Sequence, residues 1–159
     1  MKKILLAIST LLLTTTLAQA SGTVKVGSGN VEVGDLSQSA TAIGVEFQKN
    51  PKAKLDLILE FDGYFAEDVT TTYFGIGGKY KINDNISLKA TVGANGASFD
   101  TSDTSNSDLQ GFAYGVGATY TFAKKHNIIL DYKTGTLTDD TGIVDVDTTY
   151  TSISYGYSF

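Results

Sequence analysis

The chain has 159 residues, with 17 acidic groups against 12 basic ones, all of them lysines, for a net charge of −5; cysteine and tryptophan are absent. That length suits one domain. The acid excess excludes a nucleic-acid partner, whose phosphates demand a basic footprint, and the lack of cysteine excludes disulfides and thiol redox chemistry.

Lys2 and Lys3 open the chain, followed by an apolar run from Ile4 to Leu17 and then Ala18-Gln19-Ala20. A basic start, a short apolar core and small residues before a cleavage point read as a secretory signal peptide over residues 1–20, cut after Ala20. The run is too short and too interrupted by Ser9, Thr10 and Thr14 to Thr16 for a spanning helix. Cleavage would remove both lysines and move the net charge to −7.

Beyond Ala20 the chain alternates with a period of two, as strands do. Residues 23–33 form the first expected strand; its parity shifts near Gly27 to Gly29, where a bulge is expected. Residues 34–39 then read as a connection. Ile43, Val45 and Phe47 alternate with Gly44, Glu46 and Gln48. The turn Asn50-Pro51-Lys52-Ala53 leads to Leu55, Leu57, Leu59 and Phe61, opposed by Asp56, Ile58, Glu60 and Asp62. After a connection near 63–70, Phe74, Ile76 and Tyr80 alternate with Tyr73, Gly75, Gly77, Lys79 and Lys81. Asn83-Asp84-Asn85 turns into Ile86, Leu88, Ala90 and Val92, opposed by Ser87, Lys89, Thr91 and Gly93. A polar loop over 98–109 precedes Phe112, Tyr114, Val116, Tyr120 and Phe122. Lys124 to Asn127 is another turn; Ile128, Leu130 and Tyr132 follow, opposed by Asp131 and Lys133. A loop near 137–147 leads to "SISYGYSF", with Ile153, Tyr155, Tyr157 and Phe159 on one side.

Eight such segments can hide their apolar faces in a soluble sandwich or against lipid. Closure in a membrane leaves no edge and satisfies every backbone group. Glycines on the polar parity suit the narrow interior of an eight-stranded cylinder. The expected fold is therefore all-β: an eight-stranded antiparallel up-and-down transmembrane β-barrel over residues 21–159, with short turns at one end and longer loops at the other.

This pattern resembles the small outer-membrane β-barrel family, which includes OmpA-like transmembrane domains, OmpX-like proteins and opacity-type porin-like proteins. The matching stretches are "SISYGYSF", "YFGIGGKY" (Tyr73 to Tyr80) and "GFAYGVGATYTF" (Gly111 to Phe122). The resemblance implies a Gram-negative outer membrane reached by Sec-type export, both chain ends on the periplasmic side, and a monomer among outer-membrane lipids and lipopolysaccharide. It also implies transient partners, namely periplasmic chaperones and the barrel-assembly machinery, with Ile153, Tyr155, Tyr157 and Phe159 as the assembly signal. No periplasmic domain is expected beyond Phe159.

The parity assignment turns Glu46, Asp56, Glu60, Asp62, Lys79, Lys81, Lys89, Asp131 and Lys133 inward. Buried ions need partners, so a lumenal ion network centred on Glu60, Lys79, Lys89, Asp131 and Lys133 is expected, with Asp56 and Lys81 nearer the periplasmic rim. Such a network plugs the lumen and fixes strand register; a narrow ion path is the alternative. Interfacial aromatics are expected near the periplasm (Phe47, Tyr80, Tyr120, Phe122, Tyr132, Tyr157, Phe159) and near the outside (Tyr64, Phe65, Phe74, Tyr114), while Tyr150 caps the lumen. The external segments are acidic, suited to divalent cations that bridge to lipopolysaccharide. "DTSDTSNSD" lacks the glycine and terminal glutamate of a calcium loop.

Lipid A-modifying barrels use a Ser-His-acid set. Here the single histidine, His126, sits in "KKHNII" at a periplasmic turn, with Ile128 where that family has serine. No catalytic residue, cofactor or metal site is expected. The expected function is a non-enzymatic barrel with a plugged, charged lumen that serves membrane structure or surface contacts, with a small porin or an adhesin as alternatives.

Overall fold

The computed structural model describes residues 21–99, 108–138 and 145–159. Eight strands follow in order: β1 (Ser21–Val33), β2 (Leu36–Gln48), β3 (Leu55–Phe65), β4 (Val69–Lys81), β5 (Ile86–Phe99), β6 (Asp108–Phe122), β7 (His126–Thr138) and β8 (Asp145–Ser158). Each pairs antiparallel with its chain neighbour, and β8 closes on β1. No sheet edge is left to recruit another chain.

The register runs without a slip along every pairing. Following paired residues from Ser21 through Gln48, Ile58, Gly77, Thr91, Gly115, Lys133 and Tyr150 returns to β1 at Val31, ten residues from the start. A stagger of this size over eight strands tilts them by roughly 35–45° and leaves an interior that side chains can fill. β1 pairs continuously through Gly27 and Gly29 with both neighbours, so the expected bulge is absent.

The wall has the expected two faces. Leu57, Val92, Val116, Leu130 and Ile153 are each about half exposed or more, while Glu60, Lys89, Thr91, Asp131 and Ser154 point inward and are buried. An apolar surface that wraps the whole molecule is incompatible with water and compatible with lipid around a closed sheet.

Two expected connections prove to be strand. β1 and β2 are joined only by Gly34 and Asp35, with Gly34 at φ 58°, and β3 and β4 only by residues 66–68. The other end carries turns of comparable or greater length, 49–54, 82–85 and 123–125, so the expected contrast of short and long connections does not hold at these two external connections. The other two expected loops, over 98–109 and near 137–147, prove to be strand at their described ends, β5 running to Phe99, β6 starting at Asp108, β7 running to Thr138 and β8 starting at Asp145; their residues 100–107 and 139–144 lie outside the described residues.

Phe159 explains how the cylinder is fastened where the chain ends meet. Its amide donates to the Gly22 carbonyl at 2.9 Å and its carbonyl accepts from the Gly22 amide at 3.3 Å. Its ring lies over Gly22, where a Cβ would come within 2.4 Å of the ring.

Candidate functional site

The lumen is built in two layers. The lower one is ionic and holds four lysines and four carboxylates. Glu46 and Glu60 are direct cross-strand neighbours, as are Lys79 and Lys89. Like charges at such positions repel, and the side chains resolve this by interleaving. Lys79 Nζ donates to Glu46 Oε1 at 2.7 Å; Lys89 Nζ donates to Glu46 Oε2 at 3.2 Å and to Glu60 Oε2 at 2.5 Å.

A repeated arrangement supplies the rest. Lys25 on β1 faces Gly44 on β2, which faces Asp62 on β3. Lys89 on β5 faces Gly117 on β6, which faces Asp131 on β7. In each case the lysine reaches over the glycine to the aspartate beyond, at 2.9 Å for Lys25 to Asp62 Oδ1 and 2.9 Å for Lys89 to Asp131 Oδ1. A Cβ on Gly44 would lie 1.9 Å from Asp62 Oδ1 and 2.8 Å from Lys25 Cε; one on Gly117 would lie 2.4 Å from Asp131 Oδ1 and 2.6 Å from Lys89 Cε. These two glycines are the space through which the ions meet.

Lys25 and Lys133 tie the clusters together. Lys25 Nζ also reaches Asp131 Oδ2 at 2.8 Å and Glu60 Oε2 at 3.5 Å. Lys133 Nζ lies 2.8 Å from Asp62 Oδ2, 3.4 Å from Glu60 Oε1 and 3.7 Å from Asp131 Oδ2. Oδ1 of Asp62 and of Asp131 has no hydrogen-bond partner by angle, yet each lies 2.9 Å from an ammonium; these contacts are ion pairs without hydrogen-bond geometry. Thr91 extends the network, donating to Glu60 Oε1 at 3.0 Å and accepting from the Tyr73 hydroxyl at 3.0 Å. Glu60, Asp62 and Asp131 converge closely enough to hold a cation, but the ammonium groups of Lys25, Lys89 and Lys133 already supply the positive charge there.

The upper layer is apolar. Val31, Val33, Ala40, Ala42, Tyr64, Val69, Ala97, Leu109, Leu137 and Tyr150 form one buried cluster. The rings of Tyr64 and Tyr150 stack with centroids 5.2 Å apart. The layers join where Lys133 Nζ donates to the Tyr64 hydroxyl at 3.4 Å, and Asn95 Nδ2 donates to the Tyr150 hydroxyl at 3.2 Å.

Seven of the nine lumenal residues expected from sequence meet in this network: Glu46, Glu60, Asp62, Lys79, Lys89, Asp131 and Lys133. Asp56 and Lys81 do not join it. Asp56 Oδ1 accepts from the Asn50 amide at 2.8 Å, and Lys81 donates to the Pro51 carbonyl; both brace the β2–β3 turn. Lys25, a central member, was not anticipated because the expected bulge obscured its parity. Tyr64, expected outside, is buried in the lumen, on the same parity as Asp62. Tyr150 caps the lumen as expected. Tyr132, expected near the periplasm, pairs with Thr151 and Val116 midway along the wall.

Ile153, Tyr155, Tyr157 and Phe159 all face outward. His126 opens β7; its Nδ1 meets the Tyr155 hydroxyl, and its ring packs against Phe122 and Tyr157. Among the described residues no serine or carboxylate is paired with it.

No protein-family model and no curated protein matches the sequence. Solved structures do match its fold. Ail, the attachment invasion locus protein of Yersinia pestis, in complex with the heparin analogue sucrose octasulfate, is 18% identical with a TM-score of 0.67, over 89% of this chain and 99% of that one. Neisserial surface protein A is 14% identical with a TM-score of 0.62, over 89% and 98%. The outer membrane enzyme PagL is 13% identical with a TM-score of 0.53, over 85% and 98%. The chain thus has the fold of small outer-membrane barrels. The same fold carries an enzyme in PagL, so the fold alone does not set the role.

Proposed function

We propose that the protein is a sealed, non-conducting outer-membrane barrel that reinforces the bilayer and presents an acidic external end for surface contacts. One observation carries this reading: the ionic layer is roofed by an apolar layer, so ions entering from the periplasmic mouth would have to cross Tyr64, Tyr150 and the aliphatic cluster. A charge in such surroundings is strongly disfavoured. In this reading the mature chain begins near Ser21, inserts as a monomer, and uses Ile153, Tyr155, Tyr157 and Phe159 as the strand read by the assembly machinery.

Planar-bilayer recording of the refolded mature chain tests the sealed lumen. The expected trace is flat, and reproducible openings of substantial size would refute the reading in favour of a small channel.

A surface-attachment role is the second reading, favoured by the likeness to Ail. A heparin-like polyanion is a poor partner here, because the described external connections carry Asp35, Glu67 and Asp68 and no lysine. A cationic partner, or lipopolysaccharide bridged by divalent cations, fits that charge better.

A further inference from the structure

Among the described residues, the lysines outside the lumen all lie at one end. Lys25, Lys79, Lys89 and Lys133 belong to the ion network, and Lys81 is held by the Pro51 carbonyl. The remaining five, Lys49, Lys52, Lys54, Lys124 and Lys125, are exposed on the β2–β3 and β6–β7 turns. In a closed ring of eight strands these two turns lie on opposite sides of the cylinder. The other end shows exposed Glu32, Asp35, Glu67, Asp68, Asp145 and Asp147.

Two of these lysines are fixed in the same way. Lys54 Nζ sits 5.4 Å from the Tyr80 ring centroid, and Lys125 Nζ sits 5.6 Å from that of Tyr157. Both rings face outward and are more than 40% exposed, so they belong to the lipid-facing wall. An ammonium over the face of such a ring stands where the apolar band ends, beside the headgroup of any lipid whose tails lie along the wall. Lys52 and Lys124 lie beside these clamps in sequence, so each turn gathers several positive charges.

One lysine of the second turn, Lys124, stands in a conformation that its side chain disfavours. Ala123 and Lys124 have φ of 51° and 65°, a left-handed conformation that Asn-Gly adopts at little cost and that L residues with a Cβ rarely take. Strain kept at a surface turn points to a requirement other than folding.

We propose that this end of the barrel is a docking collar for anionic phospholipid headgroups, with one site at Lys54 and Tyr80 and a second, opposite, at Lys125 and Tyr157. The lipid phosphate is the recognised group, because a lysine ammonium is a compact point charge suited to it. A net negative headgroup is preferred over a zwitterionic one because lysines outnumber acids here: the five exposed lysines meet one exposed acidic side chain, Asp84 on the 82–85 turn, while Asp56 is buried and bonded to the Asn50 amide.

Native mass spectrometry of the refolded mature chain, released from micelles doped with phosphatidylglycerol, phosphatidylcholine or lipopolysaccharide, tests this. Phosphatidylglycerol is expected to be retained over phosphatidylcholine by about fivefold for each engaged lysine, and to be lost as ionic strength rises. Lys54→Gln with Lys125→Gln should bring retention down to the phosphatidylcholine level, while Glu67→Gln with Asp68→Asn should leave it unchanged. Heat-modifiable gel mobility checks that each variant is folded; should the lysine variant fail that check, the salt dependence of the unmodified protein decides. Equal retention of the two phospholipids, preference for lipopolysaccharide, retention insensitive to salt, or an unaffected folded lysine variant would overturn the proposal.

Discussion

Lys25→Met is the sharpest test of the lumenal network, because Lys25 bridges three carboxylates. Its Nζ lies 2.8 Å from Asp131, 2.9 Å from Asp62 and 3.5 Å from Glu60. At an effective dielectric of about 20, each contact represents about 5 kcal/mol of attraction. Repulsion among the clustered lysines and a desolvation cost of several kcal/mol per ion offset most of this. What remains decisive is the balance: four carboxylates would face three lysines, leaving one net buried negative charge, although Asp62 keeps Lys133 and Asp131 and Glu60 keep Lys89. Breaking a buried pair in this way costs about 3–5 kcal/mol. The assay is urea unfolding of the mature chain in lipid vesicles, followed by circular dichroism and by heat-modifiable gel mobility. Lys25→Met should lower the midpoint at unchanged slope, and adding Asp131→Asn should recover most of the loss by restoring equal charge. If the single variant unfolds at the midpoint of the unmodified protein, or the double variant falls further still, the charge-balance argument is wrong.

Three further outcomes follow from other parts of the structure. Tyr64→Ala removes half of the ring stack that roofs the lumen, and should cost about 3–5 kcal/mol as a large buried cavity does; the same urea titration reads it, and bilayer recording reports whether the lumen now admits ions. Replacing Ala123-Lys124 by Asn-Gly relieves the positive φ values of 51° and 65° and should raise stability by about 1 kcal/mol or slightly more, seen as slower unfolding in urea. Gly22→Val would displace the Phe159 ring that lies over it, and should slow insertion into vesicles, measured as the rate at which the heat-modifiable band appears.

The strand pattern was legible because lipid imposes it. Leu57, Val116 and Tyr155 must face the tails, so period two survives wherever the wall crosses the membrane. It fades where both faces become polar or small. Ser37 and Ser39 continue β2 outward beyond Ile43, and with polar side chains outside and mostly small ones such as Ala40 inside, the stretch 34–39 read as a connection. β1 misled for a different reason. Val24 and Val26 face lipid, whereas Val31 and Val33 face inward. The interior changes from ionic to apolar along the axis, so apolar side chains change sides while the backbone does not slip. Tyr64 followed the same logic: an aromatic at a strand end suggested the interface, yet its parity with Asp62 placed it inside. The pairing of charges was not legible, because Lys25 and Lys89 pass over glycines to strands that are not their direct neighbours.

That passage over glycine bears on how the barrel chooses one register. Sliding a strand by one residue would turn its apolar face into the lumen, which the membrane forbids. Sliding it by two preserves every face, and lipid is indifferent to the change. The ion network is not indifferent: a two-residue slip of β1 carries Lys25 away from Gly44, breaks its contacts with Asp62 and Asp131, and sets Gly27 or Thr23 in its place. The charges therefore supply register information that the apolar wall lacks, a role buried polar groups serve in some other folds. Replacing Lys25, Asp62, Asp131 and Lys133 together by apolar residues should keep the barrel stable, since no ion is orphaned, while permitting neighbouring registers. A second set of β1 amide resonances in detergent micelles is the expected signature; one set alone would mean that the hydrogen-bond ladders fix the register unaided.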